Sequence, residues 1–171
     1  MVRPAALHGA DPIALPPARP LEAGDDVAAF SSGQPVLDAW LRSTASTAQA
    51  AGTAAVYVSV LDDQVVGFYA LAMHAVGVAP APKRLGRGML DPRPVILLAR
   101  LAIDQAWQGA GNGGHLLAEA LRRCVVGAHC YGARAVVVDA IDERPAAFYR
   151  HFGFRELEGN RRWLKVSDFG G

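Results

Sequence analysis

Cysteine is almost absent from this chain, which has only Cys124 and Cys130 among its 171 residues. The segment that carries both is predicted to be helical, and six positions of separation turn the two side chains in different directions. We therefore expect neither a disulfide between them nor a metal ion held by the pair. A chain without disulfides is typical of a reducing compartment.

Long hydrophobic runs are missing as well. The first 20 residues include Arg3 but no uninterrupted apolar region of signal-peptide length. No stretch approaches the roughly 20 apolar residues that cross a membrane. We expect a cytoplasmic protein without a membrane-spanning segment.

A strong net charge is the third absence, since 17 basic and 16 acidic residues give a formal charge of +1. This balance by itself predicts no polyanionic partner. The distribution is uneven, because residues 1–64 carry three basic and seven acidic side chains while residues 65–171 carry fourteen and nine. The basic residues of the second part permit contact with phosphates or an acidic peptide, although a solvated face is the commoner role for any one of them.

The composition predicts one globular domain, because 51% of the residues are hydrophobic and the chain is long enough to bury a single core. Five prolines among the first 20 residues are typical of a mobile tail. We expect a flexible tail over residues 1–20 and one domain over residues 21–171.

Periodicity predicts the main elements. A helix with Pro35 in its first turn is expected to reach about Ala51, with a buried stripe of Val36, Leu37, Trp40 and Leu41. Residues 56–61 and 65–73 form a predicted hairpin, with Gly67 marking a bulge. A long basic connector over residues 74–89 is expected to recognise an acceptor. A buried strand over 135–141, a short helix over 143–152 and a strand over 161–166 that closes the sheet complete the prediction.

The most informative stretch is a predicted strand, glycine loop and helix. An apolar run over residues 95–99 continues through Asp104, the glycines lie within 108–114, and apolar residues then recur at helical spacing as far as Ala128. Glycines let a backbone turn tightly, and the first N–H groups of a helix favour an anion such as a pyrophosphate. A tight turn that only packs helix against strand is the alternative. No Gly-Lys-Ser/Thr follows, and the glycines do not form G-x-G-x-x-G with a later acidic residue, so two common phosphate loops are excluded.

The loop matches Q-x-x-G-x-G through Gln108, Gly111 and Gly113, and an aromatic motif follows at Phe148-Tyr149. These motifs resemble the GNAT acetyltransferase superfamily. Further segments resemble one branch of it, the acetyltransferase toxins of bacterial type II toxin-antitoxin modules, over roughly residues 22–168. The quoted segments are Phe30-Ser31-Ser32-Gly33, Leu37–Leu41, Val66–Leu71, Arg84–Met89 and Arg100–Asp104.

The resemblance implies an α/β (α+β) GNAT fold, whose mixed and mostly antiparallel sheet is flanked by helices and splayed where acetyl coenzyme A binds. It implies that the strand backbone bonds the pantetheine arm and that the glycine loop holds the pyrophosphate. The residues concerned are Leu101, Ala102, Ile103, Gln108, Gly109, Ala110, Gly111, Asn112, Gly113 and Gly114, with Phe148 beside them. A backbone N–H near Ile103 would polarise the thioester carbonyl.

Tyr149 is the candidate acid, because the family places this tyrosine near the coenzyme sulfur and a phenol can protonate a departing thiolate. Its alternative role is an aromatic anchor. No base is evident, since the histidines form no recognisable dyad, and Asp142 and Glu143 cap a helix at least as plausibly. A free α-amine, whose pKa is about 7.7 to 8.0, needs little help to lose its proton and is favoured as acceptor over lysine.

The branch agrees with an α-amine acceptor, since its toxins acetylate the amino acid carried on transfer RNA and so block translation. Arg84, Arg87, Arg93 and Arg100 are the candidates for contact with the RNA, and a salt bridge inside the fold is the alternative for Arg100. The branch also implies a homodimer and a ribbon-helix-helix antitoxin. No metal is implied.

Two other functions remain open. The first is acetylation of a small amine or of a protein, which an activity independent of RNA would indicate. The second is a non-catalytic module that binds acyl coenzyme A or acts as a co-repressor with an antitoxin. The low net charge, and Ala110 where the branch often has a basic residue, keep this second alternative open.

Overall fold

The computed structural model describes residues 14–77 and 92–169. Its elements in chain order are β1 (Arg19–Pro20), α1 (Pro35–Ser43), α2 (Ala45–Ala50), β2 (Ala55–Leu61), β3 (Gln64–Val76), β4 (Arg93–Ile103), a 3-10 turn (Gln105–Trp107), α3 (Asn112–Tyr131), β5 (Ala135–Asp139), α4 (Glu143–His151), β6 (Arg155–Glu156), β7 (Arg161–Lys165) and α5 (Val166–Phe169). The strands form one seven-stranded sheet in the order β1-β2-β3-β4-β5-β7-β6. A mixed, mostly antiparallel sheet with flanking helices is thereby confirmed.

The chain divides into two compact units that interleave in sequence. The first contains the residues up to Tyr69 together with Leu101–Leu117, and the second contains Ala70–Arg100 together with the residues from Ala118 onward. Most of the predicted connector falls at residues 78–91, outside the described residues, and Arg84 and Arg87 lie there.

The predicted hairpin is present in the first unit, where β2 and β3 are neighbours in the sheet. Asp62 and Asp63 join them with φ of 50° and 62°. Both residues lie in the left-handed region, as a two-residue turn that follows strand twist requires. Gly67 has a reason to be glycine other than the predicted bulge, because a Cβ there would lie 3.1 Å from Ile103 Cδ1.

The predicted helix over residues 35–51 is two helices, α1 and α2, which meet at Thr44. Its predicted buried stripe is wrong at Val36, which is 69% exposed, while Asp38 is buried instead. Asp38 Oδ1 accepts hydrogen bonds from the Ser32 backbone N–H at 2.9 Å and the Ser32 hydroxyl at 2.6 Å. These bonds satisfy the carboxylate, which is why a charged residue occupies the inner face of α1.

The predicted tail ends earlier than residue 20. Arg19 and Pro20 form β1, which pairs antiparallel with β2. The Ser59 hydroxyl donates to the Pro16 carbonyl oxygen at 2.7 Å, and Ala18 is buried. Residues 16–20 are therefore packed, because their backbone groups find partners in the sheet.

Four strand pairings have a described register, and the one that is parallel lies in the second unit. β4 pairs with β5 at Ile96↔Val136, Leu97↔Val137 and Leu98↔Val138. The pairing ends there, although β4 continues to Ile103, as expected for strands that separate toward their carboxyl ends. On its other side β5 pairs antiparallel with β7, which pairs in turn with β6. Residues 161–166 were predicted to close the sheet, but the short strand β6 forms its edge instead.

The core of this unit is a cluster of Val76, Val95, Ala135, Val137 and Trp163. Cys124 is buried and Cys130 is exposed, and both thiols are free. The two cysteines therefore point in different directions, as their spacing predicted.

Candidate active site

The loop between β4 and α3 owes its shape to glycine. Gly109 and Gly111 adopt φ of +84° and +77°, a region that residues with a side chain rarely enter. Residues 108–111 are exposed, and α3 begins at once with Asn112. The first N–H groups of a helix lack partners within it and carry the positive end of its dipole, so the loop offers an anion several donors.

Gln108 holds this loop in place. Its side-chain Nε2 donates to the Ser32 carbonyl oxygen at 2.8 Å and to the Ile103 carbonyl oxygen at 2.8 Å. The loop is thereby tied both to the end of β4 and to the segment before α1. The glutamine of the Q-x-x-G-x-G motif is thus a positioning residue in this structure, since its amide hydrogens are directed at the backbone.

Asp104 and Asn112 brace the same loop at its two ends. The Asp104 carboxylate accepts from the Ser31 N–H at 2.9 Å and from the Ala106 N–H at 2.9 Å, which starts the 3-10 turn. The buried Asn112 donates through Nδ2 to the Trp107 carbonyl oxygen at 2.9 Å. The side chains of Asp104 and Asn112 are therefore both directed at backbone groups of the loop and of the segment before α1.

We expect Gln108→Ala to raise the KM for an anionic ligand of the loop roughly tenfold to thirtyfold, because two hydrogen bonds worth about 1 kcal/mol each would be lost. Calorimetric titration would also show the weaker affinity. Gln105→Ala is the matched control, because Gln105 is exposed and its side chain makes no hydrogen bond among the described residues. An affinity equal in the two variants would contradict the positioning role.

Tyr149 lies on α4 in a cluster of aromatic rings. It is 8% exposed, and its ring meets those of Phe148 and Phe154 edge-on at centroid distances of 5.2 and 5.4 Å. Burial raises the pKa of its phenol above the ordinary value, so the group keeps its proton at neutral pH. The predicted helix cap is present, since the Asp142 carboxylate accepts from the Arg144 N–H at 3.0 Å.

A polar cluster at the end of β5 was not predicted from the sequence. Arg161 donates to the Asp139 carboxylate through Nε at 2.8 Å and Nη2 at 3.0 Å. Its Nη1 is 3.0 Å from His74 Nε2. The Arg161 guanidinium, with help from His74 and Arg100, holds the pKa of Asp139 below its usual range. The pairing of Asp139 with Arg161 in the register of β5 and β7 is the one signal that could have indicated this cluster. That register depends on the tertiary structure and cannot be obtained from the sequence pattern.

The two described candidate arginines differ in their surroundings. Arg93 is only 7% exposed, and its Nε and Nη1 have no hydrogen-bond partner in the described part of the chain. Arg100 is half-buried and donates through Nη1 to the Ala99 carbonyl oxygen at 2.7 Å. A buried guanidinium such as that of Arg93 favours an anion nearby.

Residues 14–77 and 92–169 contain no group of three or more metal-ligating side chains. Within those same ranges, no helix is both long enough and apolar enough to span a bilayer.

Comparison with known proteins places this geometry in a family. The model of the acetyltransferase (GNAT) domain matches residues 52–156. A tRNA-acetylating toxin of Mycobacterium tuberculosis is 48% identical over 136 residues, which are 80% of this chain and 82% of that protein. The structure of AtaTR bound with acetyl coenzyme A is similar at a TM-score of 0.78 and 25% identity, covering 89% of this chain and 94% of that one.

A further structure, an AtaT toxin variant bound to the C-terminus of the antitoxin AtaR, shares the fold at a TM-score of 0.77 and 24% identity, covering 89% of this chain and 92% of that one. The domain match spans more than half of the chain, and the mycobacterial relative is similar over most of both lengths. The chain therefore belongs to the GNAT acetyltransferases, in the branch of the tRNA-acetylating toxins.

Proposed function

We propose that this protein transfers the acetyl group of acetyl coenzyme A to the α-amino group of aminoacyl-tRNA and thereby blocks translation as a toxin. The observation that carries the proposal is the glycine loop at the start of α3, tied by Gln108 to the end of β4. The 48% identical tRNA-acetylating toxin supports the choice of acceptor.

Donor binding falls to the end of β4 and to the loop. The backbone of Leu101, Ala102 and Ile103 bonds the pantetheine arm, and the loop holds the pyrophosphate through backbone N–H groups. The loop residues with this role are Gln108, Gly109, Ala110, Gly111, Asn112, Gly113 and Gly114. Phe148 packs near the thioester end of the arm. Support comes from the positive φ of Gly109 and Gly111, which lets the backbone approach a ligand closely.

The chemistry needs one acid. The acceptor nitrogen attacks the thioester carbonyl carbon, a C–N bond forms, and the C–S bond breaks. A backbone N–H near Ile103 stabilises the oxyanion. The departing thiolate takes the Tyr149 proton, while the acceptor amine gives up its own proton to solvent. Tyr149 suits the acid role because its buried phenol stays protonated.

We expect kcat/KM for the acceptor to rise with pH through about 7.7 to 8.0, where an α-amine loses its proton. The sign follows from the nucleophile, since only the neutral amine attacks. Burial raises the pKa of the Tyr149 phenol above its ordinary value of about 10, so the acid loses its proton only above that pH. The rate should therefore not fall on the alkaline side below about pH 10. Initial rates across pH 6 to 10 would check both limbs, and a fall in rate between pH 8 and 9 would contradict the assignment of the acid.

Partners follow from the branch. We propose that Arg84, Arg87, Arg93 and Arg100 contact the RNA, that a ribbon-helix-helix antitoxin binds the chain, and that the chain forms a homodimer. Because charged transfer RNA is found where translation occurs, the proposal places the protein in the cytoplasm. The antitoxin is supported by the structure of a toxin of the same fold bound to the C-terminus of its antitoxin.

The decisive experiment incubates the purified chain with acetyl coenzyme A and a pool of charged transfer RNA, and scores acetylated aminoacyl-RNA by mass. Product that depends on the RNA would support the proposal. Acetylation of free amines without acetylation of the RNA would indicate a small-molecule or protein acceptor. Tight coenzyme binding without any product would indicate the non-catalytic module.

A further inference from the structure

A cavity of about 290 Å³ lies at the carboxyl end of β5, within the second unit. Its lining mixes two carboxylates, a guanidinium, an amide and two apolar side chains: Asp139, Glu158, Arg161, Asn160, Val76 and Leu157. Asp139, which lines the cavity, directly follows Val138, the last β5 residue that pairs with β4. The cavity therefore includes the residue at which β5 leaves its parallel neighbour.

Arg161 spans this cavity. It starts on β7, forms two bonds to Asp139 on β5, and reaches His74 on β3, a strand that is not adjacent to β5 or β7 in the sheet. Holding the Arg161 side chain in one geometry costs side-chain entropy. Packing alone does not explain this arrangement, since the Asp139 side chain is 52% exposed. The bridge holds a carboxylate at the cavity surface in one orientation.

The two guanidinium groups that act on this carboxylate are Arg161 on β7 and Arg100 on β4. Glu158 in the turn before β7 is the one further acidic group of the lining. Asp139 can thus accept a hydrogen bond while its charge is compensated. Such a group orients a neutral amine without favouring the ammonium form.

We propose that this cavity receives the amino-acid end of the acceptor, with Asp139 accepting a hydrogen bond from the α-amine and Val76 and Leu157 contacting an apolar side chain. Arg161 is then a positioning residue that keeps the amine in its reactive, neutral form. This inference rests on the proposed function for its acceptor class and adds the residues that recognise the acceptor.

The test follows the pH dependence of kcat, which reports groups in the bound complex, with leucinamide as the acceptor at saturating acetyl coenzyme A. Arg161→Gln removes the guanidinium that bonds the Asp139 carboxylate directly and leaves only Arg100 acting on it, so the bound amine keeps its proton to higher pH. We expect the acidic limb of kcat to move up by about one pH unit, a tenfold loss of rate on that limb. Arg161→Lys restores the charge and should return the acidic limb of kcat toward its native position. Its KM for leucinamide should lie above the native value, because an ammonium group cannot make both bonds to Asp139 in the native geometry.

Arg155→Gln is the matched control. Arg155 lies on β6 of the same hairpin, is 51% exposed and does not line the cavity, and its loss removes the same charge. Its pH profile should coincide with that of the native chain. An unshifted limb in Arg161→Gln, or an equal shift in Arg155→Gln, would overturn the proposal.

A second variant keeps the proposal testable if Arg161→Gln folds poorly. Leu157→Phe narrows the cavity, and the ratio of kcat/KM for leucinamide to that for glycinamide should fall tenfold, whereas an unchanged ratio would overturn the acceptor site. Acetylation of leucinamide without acetylation of aminoacyl-RNA would contradict the proposed toxin function. The cavity assignment would then be supported by the shifted limb of Arg161→Gln and the lowered ratio of Leu157→Phe, and overturned by their absence. No acetylation of either acceptor by the native chain would contradict both.

Discussion

Tyr149→Phe is expected to lower kcat at least 100-fold, the low end of the range for loss of a general acid. The substitution removes one oxygen and leaves the ring that packs against Phe148 and Phe154. Without the phenolic proton the thiolate must depart as an anion beside the buried aromatic rings of the cluster. Affinity for acetyl coenzyme A should stay within about twofold of the native value, so the effect should fall on kcat and leave KM for the donor unchanged.

The melting temperature separates catalysis from packing. No hydrogen bond to the Tyr149 hydroxyl occurs in the described part of the chain, so Tyr149→Phe should melt with the native protein. Tyr149→Ala should cost about 3 to 5 kcal/mol of folding stability, as large aromatic truncations do. Tyr131→Phe is the control, since Tyr131 is 74% exposed near the end of α3. A kcat for Tyr149→Phe within threefold of that control would remove the acid role.

Gly111→Ala is expected to raise the KM for acetyl coenzyme A at least tenfold. A Cβ at Gly111 meets nothing closer than His115 Cδ2 at 4.0 Å, so the cost comes from its φ of +77° and not from a clash. Alanine in that region costs about 1 to 2 kcal/mol. The loop can relieve this strain only by rotating its N–H groups away from the positions that favour an anion.

Gly132→Ala is an unusually close control for this prediction. Gly132 follows α3, has a φ of +81° and has no atom within 4 Å of its Cβ position. The two substitutions therefore impose the same backbone strain at opposite ends of one helix. Both should lower the melting temperature similarly, and only Gly111→Ala should weaken coenzyme binding in a calorimetric titration. Equal coenzyme affinities in the two variants would show that the loop does not bind the donor.

Local pattern was enough for much of this fold. The strand, glycine loop and helix around Gly111 were predictable because apolar periodicity and glycine both act over a few neighbouring residues. The same holds for the turn at Asp62-Asp63 and for the helix cap at Asp142. The family resemblance rested first on the glycine loop and on the Phe148-Tyr149 motif, and the domain match over residues 52–156 includes both.

Pattern failed where a distant partner decides the outcome. Val36 was expected to be buried and is exposed, whereas Asp38 on the same helix is buried. The hydrogen bond from the Ser32 hydroxyl to the Asp38 carboxylate lets that face of α1 turn inward. The side chain of Gln108 donates to the backbone of Ser32 and Ile103, two partners that the loop motif alone did not identify. Arg19 and Pro20 were expected in a tail and form a strand, because β2 offers them an edge.

The sequence by itself predicted the strand, glycine loop and helix around Gly111 and the short helix that carries Tyr149, since each depends on residues that lie close together in the chain. The tertiary structure alone decided that Arg161 meets both His74 and Asp139, and that Asp139 and Arg161 line one cavity. These three residues come from three strands and are separated by 22 to 87 positions. Only the strand order and the register of β5 with β7 bring them together, and neither can be deduced from local composition.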